Sequence, residues 1–356
     1  SSDLVEIVTH ESVRRRGGGF STCGCWYTDT EFVLKGLQIM CGIAGFVNDM
    51  PIDVKCPVLQ RMTDMIAHRG PDSEGHYIDE HAALGHRRLS IIDLGGGQQP
   101  IYNEDGSKVI TFNGEIYNYQ TLREELIAAG HTFTTKSDTE VLLHGYEQWG
   151  VDLLQRVRGM FTFVIWDKNK QELFGARDHF GIKPFYYAKM NGTFMYASEI
   201  KSLLRHPDFV KELNAEALKP YMTFQYPAIG ETFFKGVYKL PEGHYFTYRD
   251  GKMDIHRYYD EDFREGKQKL GELVNSIDQT VCDSVKAHQI ADVEVGSFLS
   301  SGVDSSYVAA VARPQHTYSI GFGKGTYNES QQAGELAELL KLNNTAESLT
   351  DEEAFA

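Results

Sequence analysis

Long apolar runs are missing from this sequence. Nowhere in its 356 residues is there a run near the ~18 apolar residues that a bilayer-spanning helix needs. Basic residues are scarce as well: 35 Lys and Arg stand against 50 Asp and Glu, a net charge of −15. So acidic a chain is poorly suited to gripping a phosphate backbone over a wide surface, although a small anion site built from backbone amides stays open. Nucleic acid and membrane are therefore not expected partners. Cysteine is too sparse for a disulfide framework: the five are Cys23, Cys25, Cys41, Cys56 and Cys282, an odd and scattered set that fits a reducing compartment. Cys23-Gly24-Cys25 has no second Cys/His pair nearby, and no metal-ligand set is identifiable elsewhere. What is present is 41% apolar residues, enough for real cores, in a length that fits about two domains.

Residues 1–39 carry Arg14-Arg15-Arg16 and Gly17-Gly18-Gly19 and no sustained period. No apolar segment follows the basic one, so a secretory signal is not read there. The stretch reads as a leader or extension outside the mature protein. Met40-Cys41-Gly42-Ile43 then opens a domain, with 42–47 as a short buried strand. Val58, Leu59, Met62, Met65 and Ile66 fall at helical spacing, ended by Gly70-Pro71. Residues 108–112 read as a strand running into Asn113-Gly114, and two helical stripes follow, one closed by Gly130 and one including Val141, Leu142 and Trp149. Four apolar or aromatic strands come next, at 160–166, 172–176, 185–188 and 193–197. Antiparallel sheets with helices against them are the natural architecture. From about residue 266 the pattern changes to helix (270–287), apolar strand (293–299), Ser/Gly turn, helix, strand (317–322) and helix (333–340), the order of a parallel α/β unit.

Several groups could carry chemistry. Removal of Met40 would leave Cys41 with its thiol and a free α-amine in one residue, and the amine is a suitable base near neutral pH; the plainer reading is a buried free cysteine. Asn113-Gly114 at a strand end is first of all a turn signal, with an oxyanion site as the alternative. Arg88, in the run Arg87 to Asp93, could hold a carboxylate bidentately. Ser137-Asp138-Thr139-Glu140 reads as a capping box, Ser137 on the amide three residues on and Glu140 reaching back, with room for a ligand role for Asp138. Ser300-Ser301-Gly302-Val303-Asp304-Ser305-Ser306 lies between a strand and a helix. It lacks the Gly-Lys-Ser/Thr of a Walker A loop and suits a pyrophosphate cradle at a helix N-terminus.

Taken in order, these groups resemble a known family. Cys41-Gly42-Ile43, His68-Arg69-Gly70-Pro71-Asp72, the run Arg88 to Asp93, Asn113-Gly114-Glu115-Ile116-Tyr117-Asn118, the Ser137 to Glu140 group, the run Arg177 to Pro184 and the 300–306 loop resemble the glutamine-hydrolysing asparagine synthetases, class II (N-terminal-nucleophile) glutamine amidotransferases. The resemblance implies an α+β N-terminal-nucleophile sandwich, helices on two antiparallel sheets, followed by the start of an α/β pyrophosphatase-loop synthetase domain. It places a glutaminase domain at 41–240 and part of an ATP-binding domain at 266–356.

The resemblance also implies roles. Cys41 would attack the glutamine carboxamide, with Asn113 and Gly114 as the oxyanion hole. Arg88 would clamp the α-carboxylate, Glu115 and Asp138 would meet the α-amine, and the backbone of Leu89, Ser90, Ile91 and Ile92 would line the pocket. Ammonia would pass through an internal tunnel to a site where ATP, with Mg²⁺, activates aspartate. Leu299 and Ile320 would hold the adenine, and Ser300, Ser301, Gly302, Val303, Asp304, Ser305 and Ser306 the pyrophosphate. A cytoplasmic enzyme is implied, and a homodimer is compatible with it. Three features depart from the family pattern. Ser301 stands where two glycines are more usual, the chain reads as truncated before the later synthetase motifs, and Cys41 is preceded by residues that make its nitrogen an amide. A non-catalytic glutamine-binding fragment, or a relative with another acceptor, is the rival reading.

Overall fold

Alternation along β1 (Gly42–Val47) sets the layers of the first unit. Ile43 turns into the space between two sheets, whereas Ala44 and Phe46 turn to the opposite face, the period-2 pattern of a strand buried on both sides. The computed structural model describes residues 40–226, 229–322 and 329–350. The expected leader at 1–39, with Cys23 and Cys25, lies outside the described residues. The chain divides into two compact units with a boundary after Phe263.

In the unit before that boundary, the first sheet runs in the order β10 (Val237–Lys239), β8 (Tyr186–Met190), β9 (Thr193–Ala197), β1, β3 (Ala82–Arg88), β2 (Ser73–Ile78). The second runs β12 (Lys252–Arg257), β11 (His244–Arg249), β7 (Glu172–Arg177), β6 (Gly159–Asp167), β5 (Lys108–Ile116), β4 (Ile101–Tyr102). Every strand pair in both sheets is antiparallel. Ile43 and Leu84 from one sheet meet Val164, Trp166 and Phe246 from the other in a shared core. Each such buried side chain stabilises the fold by ~1.5–3 kcal/mol relative to exposure. Helix α1 (Ile52–Asp64) lays Val58, Leu59 and Met62 on the outer face of the first sheet. On the second sheet's outer side, α2 (Tyr119–Ala128) buries Leu122 and Leu126. From α3 (Asp138–Trp149), Tyr146 stacks on Phe174 at 4.6 Å. Two short helices, α4 (Ile200–Leu203) and α5 (Ala215–Phe224), follow β9. The result is the helix–sheet–sheet–helix sandwich that the resemblance implies.

Three local expectations need correction. The Asn113-Gly114 pair is not a turn, because β5 runs straight through it and stays paired with β6 from Lys108↔Asp167 to Ile116↔Gly159. The glycine is needed for close approach: a Cβ at Gly114 would lie 2.2 Å from the Met160 carbonyl oxygen. The reciprocal capping box at Ser137 does not form. Ser137 Oγ accepts from the Thr139 amide at 3.2 Å, and Glu140 instead accepts from the amides of Thr134 and Thr135 at 2.7 and 2.6 Å. Finally, the second sheet continues past residue 240 through β11 and β12.

After the boundary comes helix α6 (Leu270–Ala287), then a parallel sheet of order β13 (Ser297–Phe298), β14 (His316–Phe322), β15 (Asn343–Leu349). Its crossovers are α7 (Val303–Ala312) and α8 (Ser330–Leu340). The first strand is shorter than the apolar run that announces it. On α6 the apolar side chains of Leu273, Val274 and Ile277 are exposed. β15 has no apolar signature in the sequence, because NNTAESL is mostly polar.

Candidate active site

A pocket in the first unit gathers Cys41, just before β1, with Arg88 at the end of β3, Gly114 and Glu115 on β5, and Asp138 at the start of α3. Leu89, Ile91 and Ile92 complete its near wall, and Ser90 and Asn113 are buried but do not line it.

Cys41 is held from both ends. Arg69 Nε donates to its carbonyl at 3.0 Å, and Arg69 is itself paired with Glu199 at 3.0 Å. The Leu89 amide donates to Sγ at 3.3 Å, while the thiol faces the Leu89 carbonyl at 3.4 Å. Burial pushes the thiol pKa up; the Leu89 contact and the positive charges of Lys183 and Arg88 oppose that shift, and Asp138 adds to it. The thiol therefore needs a base to become a nucleophile.

The edge of β5 facing away from β6 explains the other wall. Phe161, opposite Gly114, spends both its backbone groups on Asp178, at 2.8 and 3.2 Å. Gly114 and Phe161 thus form a non-hydrogen-bonded pair, and the backbone groups of Phe112, Gly114 and Ile116 point to the opposite edge. There Gln99 accepts the Phe112 amide at 2.6 Å and donates to its carbonyl at 3.1 Å, and the Ile116 amide donates to Asp138 Oδ2 at 3.0 Å. Between these two fixed points, Gly114 faces the pocket. Beside it Asn113 is 1% exposed, and its Nδ2 has no hydrogen-bond partner among the described residues. A buried donor without an acceptor is costly; here it marks where an oxygen could be received.

Asp138 is buried, and that burial pushes its pKa up to about 6, against the lowering effect of the Ile116, Ser137 and Thr139 hydrogen bonds. Across the pocket, Arg88 Nη2 donates to the carbonyls of Ile92 and Asp93 at 3.1 and 2.7 Å. Gly97 approaches so closely that a Cβ there would sit 2.6 Å from that nitrogen. The Ser90 amide is turned away to Asp72 Oδ2 at 2.8 Å.

Several contributors carried no signal of their own in the sequence. Gln99 also donates to Thr139 Oγ1 at 3.2 Å, tying β5 to α3. His86, whose burial pushes its pKa down to about 3, donates as neutral imidazole from Nε2 to the Phe112 carbonyl at 2.9 Å. Lys183 is presented by a loop wound around Asp178, which accepts the amides of Phe180, Ile182 and Lys183 at 3.2, 2.9 and 2.9 Å. Arg177 Nε holds the Lys183 carbonyl at 2.8 Å. The Arg177 to Pro184 motif flagged this loop but not the part played by Lys183.

In the second unit the 300–306 loop leads into α7. The Gly302 amide donates to Ser300 Oγ at 3.1 Å, Ser300 and Ser305 hydroxyls meet at 2.8 Å, and Ser306 Oγ donates to the Gly302 carbonyl at 2.7 Å. The Ser301 amide donates to Glu329 Oε2 at 3.3 Å, and Ser301 is not among the positive-φ residues, so serine is unstrained where glycine is more usual. Val303 and Asp304 open α7. Leu299 donates its amide to the Tyr318 carbonyl at 2.8 Å and accepts from Ser319 Oγ at 2.8 Å, while Ile320 lies in β14, paired in register with Glu347.

Comparison with known proteins bears on both units. A glutamine amidotransferase domain model matches residues 40–259, and an asparagine synthase model matches 276–356. The chain belongs to the glutamine-hydrolysing asparagine synthetase family. It is 43% identical over 322 residues to asparagine synthetase [glutamine-hydrolyzing] 1 of Bacillus subtilis (strain 168), covering 88% of this chain and 51% of that protein. Asparagine synthetase [glutamine-hydrolyzing] 3 of the same organism is 36% identical over 299 residues, 80% of this chain and 48% of its own length. Amidase chry2 of Gibberella zeae is 35% identical over 295 residues, 76% of this chain and 42% of its own. The chain thus spans about half the length of the asparagine synthetases it matches.

Proposed function

We propose that the first unit hydrolyses glutamine and that the whole protein uses the released ammonia to make asparagine from aspartate and ATP. In this reading, residues 41–240 form the core of the glutaminase domain, and 266–356 are part of the ATP-binding domain. Cys41 Sγ attacks the carboxamide carbon, its proton passing to the α-amine of a freed Cys41. Asn113 Nδ2 and the Gly114 amide receive the oxyanion. As the intermediate collapses, the nitrogen takes up that proton and leaves as ammonia; water then cleaves the thioester, giving glutamate and the thiol. Arg88 meets the substrate α-carboxylate, and Glu115 and Asp138 meet its α-ammonium. The observation that carries this reading is a pocket that holds Cys41 and Gly114, next to which the buried Asn113 Nδ2 has no partner among the described residues.

For the synthetase half, the 300–306 loop would receive the pyrophosphate of ATP at the N-terminus of α7, with the adenine against Leu299 and Ile320. Mg²⁺ would neutralise the phosphates. No group of three His, Cys, Asp or Glu side chains converges among the described residues of that unit. A reducing, cytoplasmic setting agrees with the free thiols of Cys41, Cys56 and Cys282. No helix among the described residues is long and apolar enough to cross a membrane.

The test compares glutamate release by protein that begins at Cys41 with that by protein in which Met40 is still attached. The freed form should turn over and the attached form should not, because an amide nitrogen has no useful basicity near neutral pH. Equal rates would overturn the role of the amine.

A further inference from the structure

Away from the pocket, three segments bring two histidines and two glutamates to one point. Glu104 comes from the connection between β4 and β5, His131 from the connection between α2 and α3, and His144 and Glu147 from α3 itself. One ligand atom from each lies within 4.8 Å of all the others. We propose that these four side chains form a divalent-cation site, best matched to Zn²⁺, that clamps α3 to the β4–β5 connection.

The geometry is more than a gathering of charges. His131 Nδ1 lies 3.1 Å from Glu104 Oε1, and His144 Nδ1 lies 3.2 Å from Glu104 Oε2 and 3.1 Å from Glu147 Oε2. The two His144 contacts, each to one oxygen of a different glutamate, approach the ~3.3 Å edge of a tetrahedron with bonds near ~2.0–2.1 Å to nitrogen and oxygen. Both imidazoles turn Nδ1 to the centre and Nε2 outward. His131 Nε2 faces Gln148 Oε1 at 3.2 Å, and His144 Nε2 faces Glu140 Oε1 at 3.5 Å. For His131, the Gln148 acceptor fixes the tautomer and directs the other lone pair at a metal. The carboxylates are steadied too: Asn103 Nδ2 donates to Glu147 Oε1 at 2.7 Å, and the Thr132 amide donates to Glu104 Oε1 at 3.1 Å. Lys108 Nζ, 3.5 Å from Glu147 Oε1, would keep that oxygen occupied, leaving Oε2 for the metal. Two nitrogens and two carboxylate oxygens suit Zn²⁺, and the two carboxylates match its charge. His144 is fully buried, whereas the Glu104 side chain is 36% exposed and gives a way in. Without a metal the same contacts are hydrogen-bonded ion pairs, so the experiment must separate the two.

Co²⁺ titrated into the folded protein provides the readout, because the ligand set has a spectral signature independent of glutamine turnover. Expected are saturable visible bands of tetrahedral type at one equivalent, without a thiolate charge-transfer band. Affinity should fall at least ~10-fold in each of Glu104→Gln and His131→Gln, two substitutions at the solvent side that should leave the circular dichroism unchanged. Zn²⁺ should raise the Tm of the parent and not of Glu104→Gln. Absence of saturable bands, a thiolate band, or parental affinity in both variants would show ion pairing only and overturn the site.

Discussion

Asp138 Oδ2 accepts the amide hydrogen of Ile116 at 3.0 Å, which fastens the first residue of α3 to the last residue of β5. The same contact puts a carboxylate into the pocket within a buried setting that holds its pKa at about 6.

A pH dependence follows. The folded value lies above the ordinary one, so this group's stabilising contribution is complete below ~3.9 and is lost as pH rises through about 6. Ligand binding runs the other way, since an α-ammonium group requires the ionised carboxylate. Glutamine affinity measured calorimetrically on Cys41→Ala should weaken as pH falls through about 6, approaching tenfold per pH unit well below it. In Asp138→Asn it should be weaker at pH 7 and flat. An unchanged slope in that variant would remove Asp138 from the binding site.

Asn113→Ala should lower turnover by about 10²–10³, the usual cost of one oxyanion donor. It should also leave stability nearly unchanged or improved, because the Nδ2 it removes has no partner to lose among the described residues. Steady-state kinetics and denaturant unfolding on the same preparation separate the two effects. A large stability loss with unaltered kcat would make Asn113 a structural residue.

Gly114→Ala sets a Cβ 2.2 Å from the Met160 carbonyl oxygen and 2.7 Å from Phe161 Cα. Both neighbours are backbone, so β5 and β6 must separate, at about 1–3 kcal/mol by analogy with overpacked cores. The urea midpoint should fall accordingly, and the residual folded protein should hydrolyse glutamine poorly. A wild-type midpoint would mean that the strands are looser than described.

Much of this architecture was legible in the sequence, for reasons that differ by element. The strands at 160–166 and 193–197 are legible because both faces are buried and the sequence, Thr162 and Thr193 apart, is therefore apolar. Cys41, Arg88, Gly114, Glu115 and Asp138 could be gathered into one site through ordered motifs, and the pocket holds all five. Gln99 could not: a glutamine before a proline has no pattern, and its work on Phe112 and Thr139 is purely tertiary. Asn113-Gly114 was misleading because the local turn preference is real, but nine residues of pairing with β6 override it. β15 was invisible because polar residues in a parallel strand break the apolar run that would have revealed it. The Glu104, His131, His144 and Glu147 cluster comes from segments whose spacing matches no metal motif, so only the packing of α3 brings it together.

The most direct measurement of the central claim is the intact mass of the protein, beginning at Cys41, after reaction with an electrophilic ketone analogue of glutamine. One adduct should form, map to Cys41 by peptide mass, and be blocked by excess glutamine, and Cys41→Ala should neither take up the label nor release glutamate. Labelling at another residue, or undiminished glutamine hydrolysis by Cys41→Ala, would contradict the account.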